Sequence, residues 1–400
     1  MRSPSLPSLP TRSTTIRPPA FPSAATFLAA ALLAGAGALL ADSLLPAPIV
    51  PSACAGEIAA KFVAPAVPHG AGVGQPATIG QWLITEDGKP VLQYNYAIVP
   101  KPDEWKKAAA AKTGRGAYLR KYGVDRSNYI HPLWSPAGEI VTADWNHDHG
   151  HHRGIYWAWP EVAFAAFPKK LQDLHALQGV FARPTGNLAT TKNADGSLTL
   201  AAENIWFWSD TIPIVRETAK ITVFPLETAA ADTAAPATGG ANPVPAGTGN
   251  TRRVALDFEF AALADGVTIA RRGTKGYGGF NVRMAKLPAW RALSHRAKNP
   301  AGAPQEKSPA WTGATWRQPS GAAGEFLAFE KTANPCYPGD FVTFKELNWF
   351  QPTFPAAGTR YPLKKGEPLK LSFLLWLHDG ATTDAVKTAA WRAWQDAPVP

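Results

Sequence analysis

Between residues 147 and 153 the chain carries His147, Asp148, His149, His151, His152 and Arg153, in the run NHDHGHHRG. Imidazole has the side-chain pKa nearest neutrality and is the commonest metal ligand, so this density can serve proton transfer or metal binding. If residues 147–151 are extended, period-two alternation puts His147, His149 and His151 on one face. Three imidazoles on a face suit Zn²⁺, Cu²⁺ or Fe²⁺ with a position left for water or substrate, so a divalent metal is a candidate cofactor. Gly150 equally permits a bent loop, which would divide the set differently. Without a metal, His149, His151 and His152 are candidate acid/base groups beside Asp148. Arg153 would then steady an oxyanion or a carboxylate. The third reading gives one or two of these rings to strand-end capping and the rest to solvent.

Other residues are candidates for the same pocket. Trp145, Trp157 and Trp159 flank the run, and an indole face stacks on sugar rings as readily as it fills a core. His131 begins a tight His-Pro step; Arg283 lies in GGFNVRMA and His378 in LWLHDG. A buried Arg283 would need a carboxylate partner whether or not it meets a ligand. Glu346 stands close to aromatics in FKELNWF. The run GTKGYGG lacks the strand–loop–helix context of a phosphate loop, and neither GxSxG nor HExxH occurs.

The elements that must position these groups read as strands. Leu198 to Trp208, Arg216 to Phe224, Val254 to Leu263, Gly279 to Met284, Glu325 to Lys331 and Leu369 to His378 alternate or run apolar between turn residues. Trp82 to Thr85 and Val91 to Val99 read as a hairpin about Asp87-Gly88-Lys89-Pro90. Glu139 to Trp145 and Ile155 to Trp159 read as strands on either side of the His run. Asp103 to Tyr122 reads as a helix capped by Asp103 and weakened by Gly114 and Gly116; Thr383 to Gln395 reads as a closing helix docked by Trp391 and Trp394. Such spacing without long intervening helices predicts an all-β antiparallel sandwich with a few short helices.

A chain of 400 residues can bury one large core, and its fifteen Trp are unusual. The +10 formal charge is spread out, with no basic run or recognition motif, which argues against a nucleic-acid partner. Residues 1–55 read as a leader: Arg2, Arg12 and Arg17 precede an Ala/Leu run from Ala24 to Ala41, then Ala53-Cys54-Ala55 before Gly56. Cleavage there leaves no stable membrane span and places the protein in the periplasm or outside the cell; the rival is an uncleaved anchor. Residues 56–80 read as a Pro/Gly-rich lead-in, and 81–400 as one domain. The low-complexity stretch 227–251 reads as a disordered insertion. Cys54 and Cys336 offer no internal disulfide once the leader is gone.

Several blocks resemble a bacterial family often labelled "methane oxygenase PmoA". They are HPLWSPAGEIVTADWNHDHGHHRGIYWAW, RRGTKGYGGFNVRMA, ANPCYPGDFVTFKELNWFQPTF and LKKGEPLKLSFLLWLHDG, and the likeness covers most of residues 80–380. The label is at odds with the chain, because the membrane subunit of that name has many apolar spans and this sequence does not. The resemblance implies a β-sandwich of the galactose-mutarotase supersandwich type, with genes that often accompany sugar catabolism. Carried over by position, it points to Asp148, His149, His151, His152 and Arg153, then Arg283 and His378. Gly150 replaces the family's Pro, and Gly273 and Gly276 stand where acidic residues are common.

The leading expectation is an exported protein that binds a small-molecule or oligosaccharide ligand in a His/Trp-lined cleft and moves a proton on it, in epimerisation, elimination or hydrolysis. The alternatives are a metal-dependent enzyme or metal carrier using His147, His149 and His151, and a glycan-recognition module without catalysis.

Overall fold

The computed structural model describes residues 56–65, 77–111, 114–228, 249–296, 308–318 and 320–396. Residues 1–55, where a leader is expected, and the body of the low-complexity stretch lie outside them. At the edges of that stretch, Glu227 and Thr251 exchange backbone hydrogen bonds, so the flanks meet as neighbours in one sheet.

The chain folds as an all-β antiparallel sandwich. One eight-stranded sheet runs in spatial order Ile58–Val63, Gln81–Glu86, Lys89–Asn95, Tyr129–Leu133, Ile155–Ala158, Gly279–Arg283, Trp349–Thr353, Asp340–Phe344. The facing eight-stranded sheet runs Arg291–Arg296, Ala310–Arg317, Ala323–Glu330, Leu369–Asp379, Thr251–Ala262, Ile212–Val223, Leu198–Trp208, Val180–Lys192. A small third sheet, Arg360–Pro362, Val267–Ala270, Glu161–Phe164 and Leu171–Gln172, closes one end.

Sequence pattern accounts for the layering. Leu198–Trp208 alternates buried and half-buried residues without a break, the signature of a strand with one face in the core. The inner faces meet through aromatic rings, Trp157 on Phe258 at 4.2 Å and Phe280 stacked on Phe373 at 4.6 Å. The outer face of the second sheet presents Trp311, Phe329 and Trp376, and the closing helix Asp384–Asp396 covers it with Trp391 and Trp394. No helix among the described residues is long and apolar enough to cross a membrane.

Several local expectations need correction. The lead-in holds a strand, Ile58–Val63, paired with Gln81–Glu86. The expected single helix is two, Asp103–Ala109 and Arg115–Tyr122, parted at Gly114, whose φ is +55°. Asp103 does not cap the first; its carboxylate takes a hydrogen bond from Lys106 at 2.9 Å. Glu139 to Trp145 is no strand. It makes only isolated bridges, Trp134 to Ile140 and Thr142 to Met284, because the segment turns to carry the His run.

Candidate functional site

The His run lies on the loop between the strands Tyr129–Leu133 and Ile155–Ala158, and the loop is bent rather than extended. Three backbone bonds fold it: His152 N–H to the His149 carbonyl, Gly154 N–H to Ala143, and Ala143 N–H to Arg283, at 2.7–3.0 Å. Gly154 sits at φ +53° directly against the Ile130 carbonyl, where a Cβ has no room.

This bend decides which groups converge. His149, His151 and His152 line a cleft of about 600 Å³. A second loop brings His175 to the same place: its ring centroid lies 5.4 Å from both His151 and His152, which are themselves 4.5 Å apart. Glu161, Asp173, Arg272 and Lys121 supply charge around the cleft. Tyr118, Tyr122, Tyr277, Phe344 and Trp349 supply aromatic walls.

Arg126 holds the two His loops together. Its buried guanidinium donates to the carbonyls of His151 at 3.0 Å, His175 at 2.9 Å and Leu174 at 3.2 Å, and lies over the Tyr156 ring. Leu174 and His175 in turn donate their N–H groups to the Trp159 carbonyl. Burial pulls the Arg126 pKa down to about 10.

Burial also keeps the imidazoles uncharged. Desolvation pulls His151 down to about 3, with His149 and the neighbouring guanidiniums acting in the same sense. It drives His152 and His175 well below the usual histidine value and lowers His149 more gently, against the pull of Asp148. A neutral ring offers one N–H and one lone pair. The Nδ1 atoms of His149, His151 and His152 are buried and find no hydrogen-bond partner among the described residues; the same holds for Nε and Nη1 of Arg283 and Nε1 of Trp349, while His175 is approached by the Asn281 side chain. Buried polar atoms are rarely left unpaired, so their concentration at one cleft marks it as a site.

The structure distributes the sequence candidates unevenly. His147 stands apart from the other rings, exposed and stacked flat on Trp105 at 5.6 Å, so the set His147, His149 and His151 does not form. The trio whose nitrogens all lie within 4.8 Å of one another is His151, His152 and His175. Arg153 does not line the cleft. It is fully buried beneath Trp145, at 3.8 Å from ring centroid to guanidinium carbon, and gives its donors to the Asp144 carboxylate and the Tyr129 hydroxyl. Burial alone would lower the Arg153 pKa, but Asp144 and Tyr129 hold it above the ordinary arginine value.

Asp148 accepts a forked pair from Nη2 of Arg283 at 2.7 and 2.9 Å, which makes it the carboxylate partner of that buried arginine. Its oxygen lies 3.9 Å from His149 Nδ1, beyond hydrogen-bond reach. Trp157 and Trp159 are core, not stacking platforms: their indole N–H groups donate to Glu217 at 2.6 Å and to the Phe354 carbonyl at 2.8 Å. Trp145 is half-buried on Arg153 and Trp105 and outside the cleft lining. His131 shares its Nδ1 with the Thr142 hydroxyl at 3.0 Å, and His378 packs edge-on to Trp376 of its own strand, Leu369–Asp379, in the second sheet; neither lines the cleft. Glu346 sits exposed in the turn Lys345–Leu347, just before the wall residue Trp349.

Sequence reasoning missed His175, Arg126, Asp173, Arg272 and the tyrosines. His175 is a lone histidine in LQDLHALQG, and Arg126 precedes a strand without any patterned partner. The turn residues around His175 were the one available signal of a loop there.

No curated protein and no solved structure matches the chain. A family model does, across residues 81–392, from the first hairpin to the closing helix. On that match the chain belongs to the family of unknown function DUF6807.

Proposed function

We propose that the protein binds a sugar or sugar-derived ligand in this cleft and moves a proton on it. The observation that carries the reading is the convergence of His149, His151 and His152, backed by the buried His175, on a cleft of about 600 Å³ with aromatic walls. That volume lies within the range of small-molecule sites, about 300–1,000 Å³. Tyr277 and Phe344 offer ring surface to the apolar face of a pyranose, while Arg272, Lys121 and Gln172 offer hydrogen-bond donors to hydroxyl or carboxylate oxygens. His149, half-exposed on the cleft wall, is the group placed to exchange a proton with a bound ligand. The sequence blocks that resemble the family labelled "methane oxygenase PmoA" point the same way, and export to the periplasm or beyond belongs to the same reading.

The test is a screen of neutral and acidic glycans for binding, followed by mass spectrometry of the tightest binders after long incubation. Binding with product formation supports the proposal in full. Binding without product leaves a recognition module, and no binding by any sugar class removes the reading.

A further inference from the structure

We infer that His151, His152 and His175 form a binding site for one first-row transition-metal ion at the floor of the cleft. Three observations converge on it. Each residue can turn a ring nitrogen toward the others, and these nitrogens lie within 4.8 Å of one another. All three side chains are buried, at 8%, 2% and 0% exposure, and the Nδ1 atoms of His151 and His152 have no hydrogen-bond partner among the described residues. The backbones of His151 and His175 are held from behind by one side chain, Arg126, which fixes the two loops relative to each other.

The donor set selects the ion. Imidazoles without thiolate suit zinc, cobalt or copper, whereas calcium and magnesium ask for an oxygen cage. The cleft carboxylates do not supply one, because Asp173 is engaged by Arg272 at 2.6 Å and Glu161 by Arg360 at 2.7 Å. The Nε2 of His175 lies 2.9 Å from the Tyr156 hydroxyl, the outer hydrogen bond that orients a ligating ring through its other nitrogen. Zinc–nitrogen bonds of about 2.0–2.1 Å at tetrahedral angles place the nitrogens about 3.3–3.4 Å apart, so the three rings must draw together when the ion binds. Arg272 and Arg283 flank the trio, but each is paired with a carboxylate, Asp173 and Asp148, which moderates their repulsion of a dication. A three-histidine set leaves a coordination position facing the cleft, where water or a ligand oxygen would sit.

The site stands apart from the identity of the organic ligand, so its failure would leave the glycan reading to its own test. The experiment is titration of the chelator-treated full chain with Co²⁺, read by ligand-field absorption and calorimetry, with metal content after zinc loading as a second measure. One ion per chain with a tetrahedral or five-coordinate cobalt spectrum is expected. Loss of an outer hydrogen bond alone costs 10–100-fold in metal affinity, so His152→Ala and His175→Ala should each weaken binding by about 100-fold or more. His147→Ala, on a ring that stacks on Trp105 away from the trio, should bind as wild type. Absence of stoichiometric cobalt or zinc in the wild-type chain overturns the inference without recourse to variants. So does an affinity loss in His147→Ala equal to that in His175→Ala. Extended X-ray absorption on the loaded wild-type chain gives the imidazole count directly: three supports the site, one or none refutes it.

Discussion

Replacing Arg126 by Met should loosen the cleft more than it loosens the fold. Methionine keeps much of the length and apolar bulk while removing every donor. The three carbonyls of His151, Leu174 and His175 then lose their partner. Hydrogen bonds to a charged group contribute about 1.5–3 kcal/mol each, so three would sum to roughly 5–9 kcal/mol. Two effects reduce this. The guanidinium has no ion-pair partner within reach among the described residues, so its burial is itself unfavourable, as its lowered pKa records. Water admitted to the opened loops will also solvate part of the carbonyl set. A net loss of about 2–4 kcal/mol remains. Urea denaturation measures it, and hydrogen exchange shows where it falls, with faster exchange expected in residues 150–154 and 173–179 and little change in the strand Leu198–Trp208. Ligand or cobalt affinity should drop in step, and Arg126→Lys should not restore it, because one ammonium cannot span three carbonyls. The reasoning fails if Arg126→Met keeps wild-type affinity and wild-type exchange in both loops.

Asp144→Asn should cost about 3–5 kcal/mol by stranding the buried Arg153 charge, measured by denaturation; a cost under about 1 kcal/mol would return Arg153 to the list of free functional groups. Tyr277→Ala should weaken the tightest glycan roughly tenfold or more without a matching loss of stability, whereas Trp157→Phe, which removes one of the three donors to the buried Glu217, should do the reverse; isothermal titration and denaturation of both variants decide. Burial pushes Glu330 up to about 7, so its contribution is fully present below pH 4.5 and fades as pH rises toward 7. The stability difference between Glu330→Gln and wild type should therefore move in favour of the variant by roughly 3 kcal/mol across that window, and a flat difference curve would contradict it. Gly154→Ala should prevent folding or cost several kcal/mol, since the methyl meets the Ile130 carbonyl, while Gly88→Ala, at φ +75° in open space, should cost only about 1 kcal/mol on thermal melts.

Strands were legible from the sequence because one-sided burial writes period two directly into the residues, as in Leu198–Trp208 and Thr251–Ala262. The hairpin at Asp87-Gly88 was legible from its turn chemistry, both residues having positive φ. The site was legible only in part. Local density singled out His149, His151 and His152, but the pairing of Arg153 with Asp144 and of Arg283 with Asp148 depends on where a loop bends. Sequence spacing does not encode that bend, and the extended alternative gave His147 a role it does not have. His175 packs behind His151 and His152 from a different loop, brought there by the third sheet and Arg126, and no local period could report it. The tryptophans misled for a related reason: indole serves a core and a sugar platform equally well, and only the inner-face position of Trp157 and Trp159 distinguishes them.

The claim on which the account rests is that ligand enters the cleft where the His151 and His175 loops meet. Diffraction from crystals soaked with the tightest glycan tests it most directly. The prediction is a sugar ring against Tyr277 or Phe344, with a hydroxyl within hydrogen-bond distance of His149, His151 or His152. Density instead in the second, larger cavity beside Trp134 and the buried Glu86–Arg252 pair, with the His cleft unchanged, would contradict it.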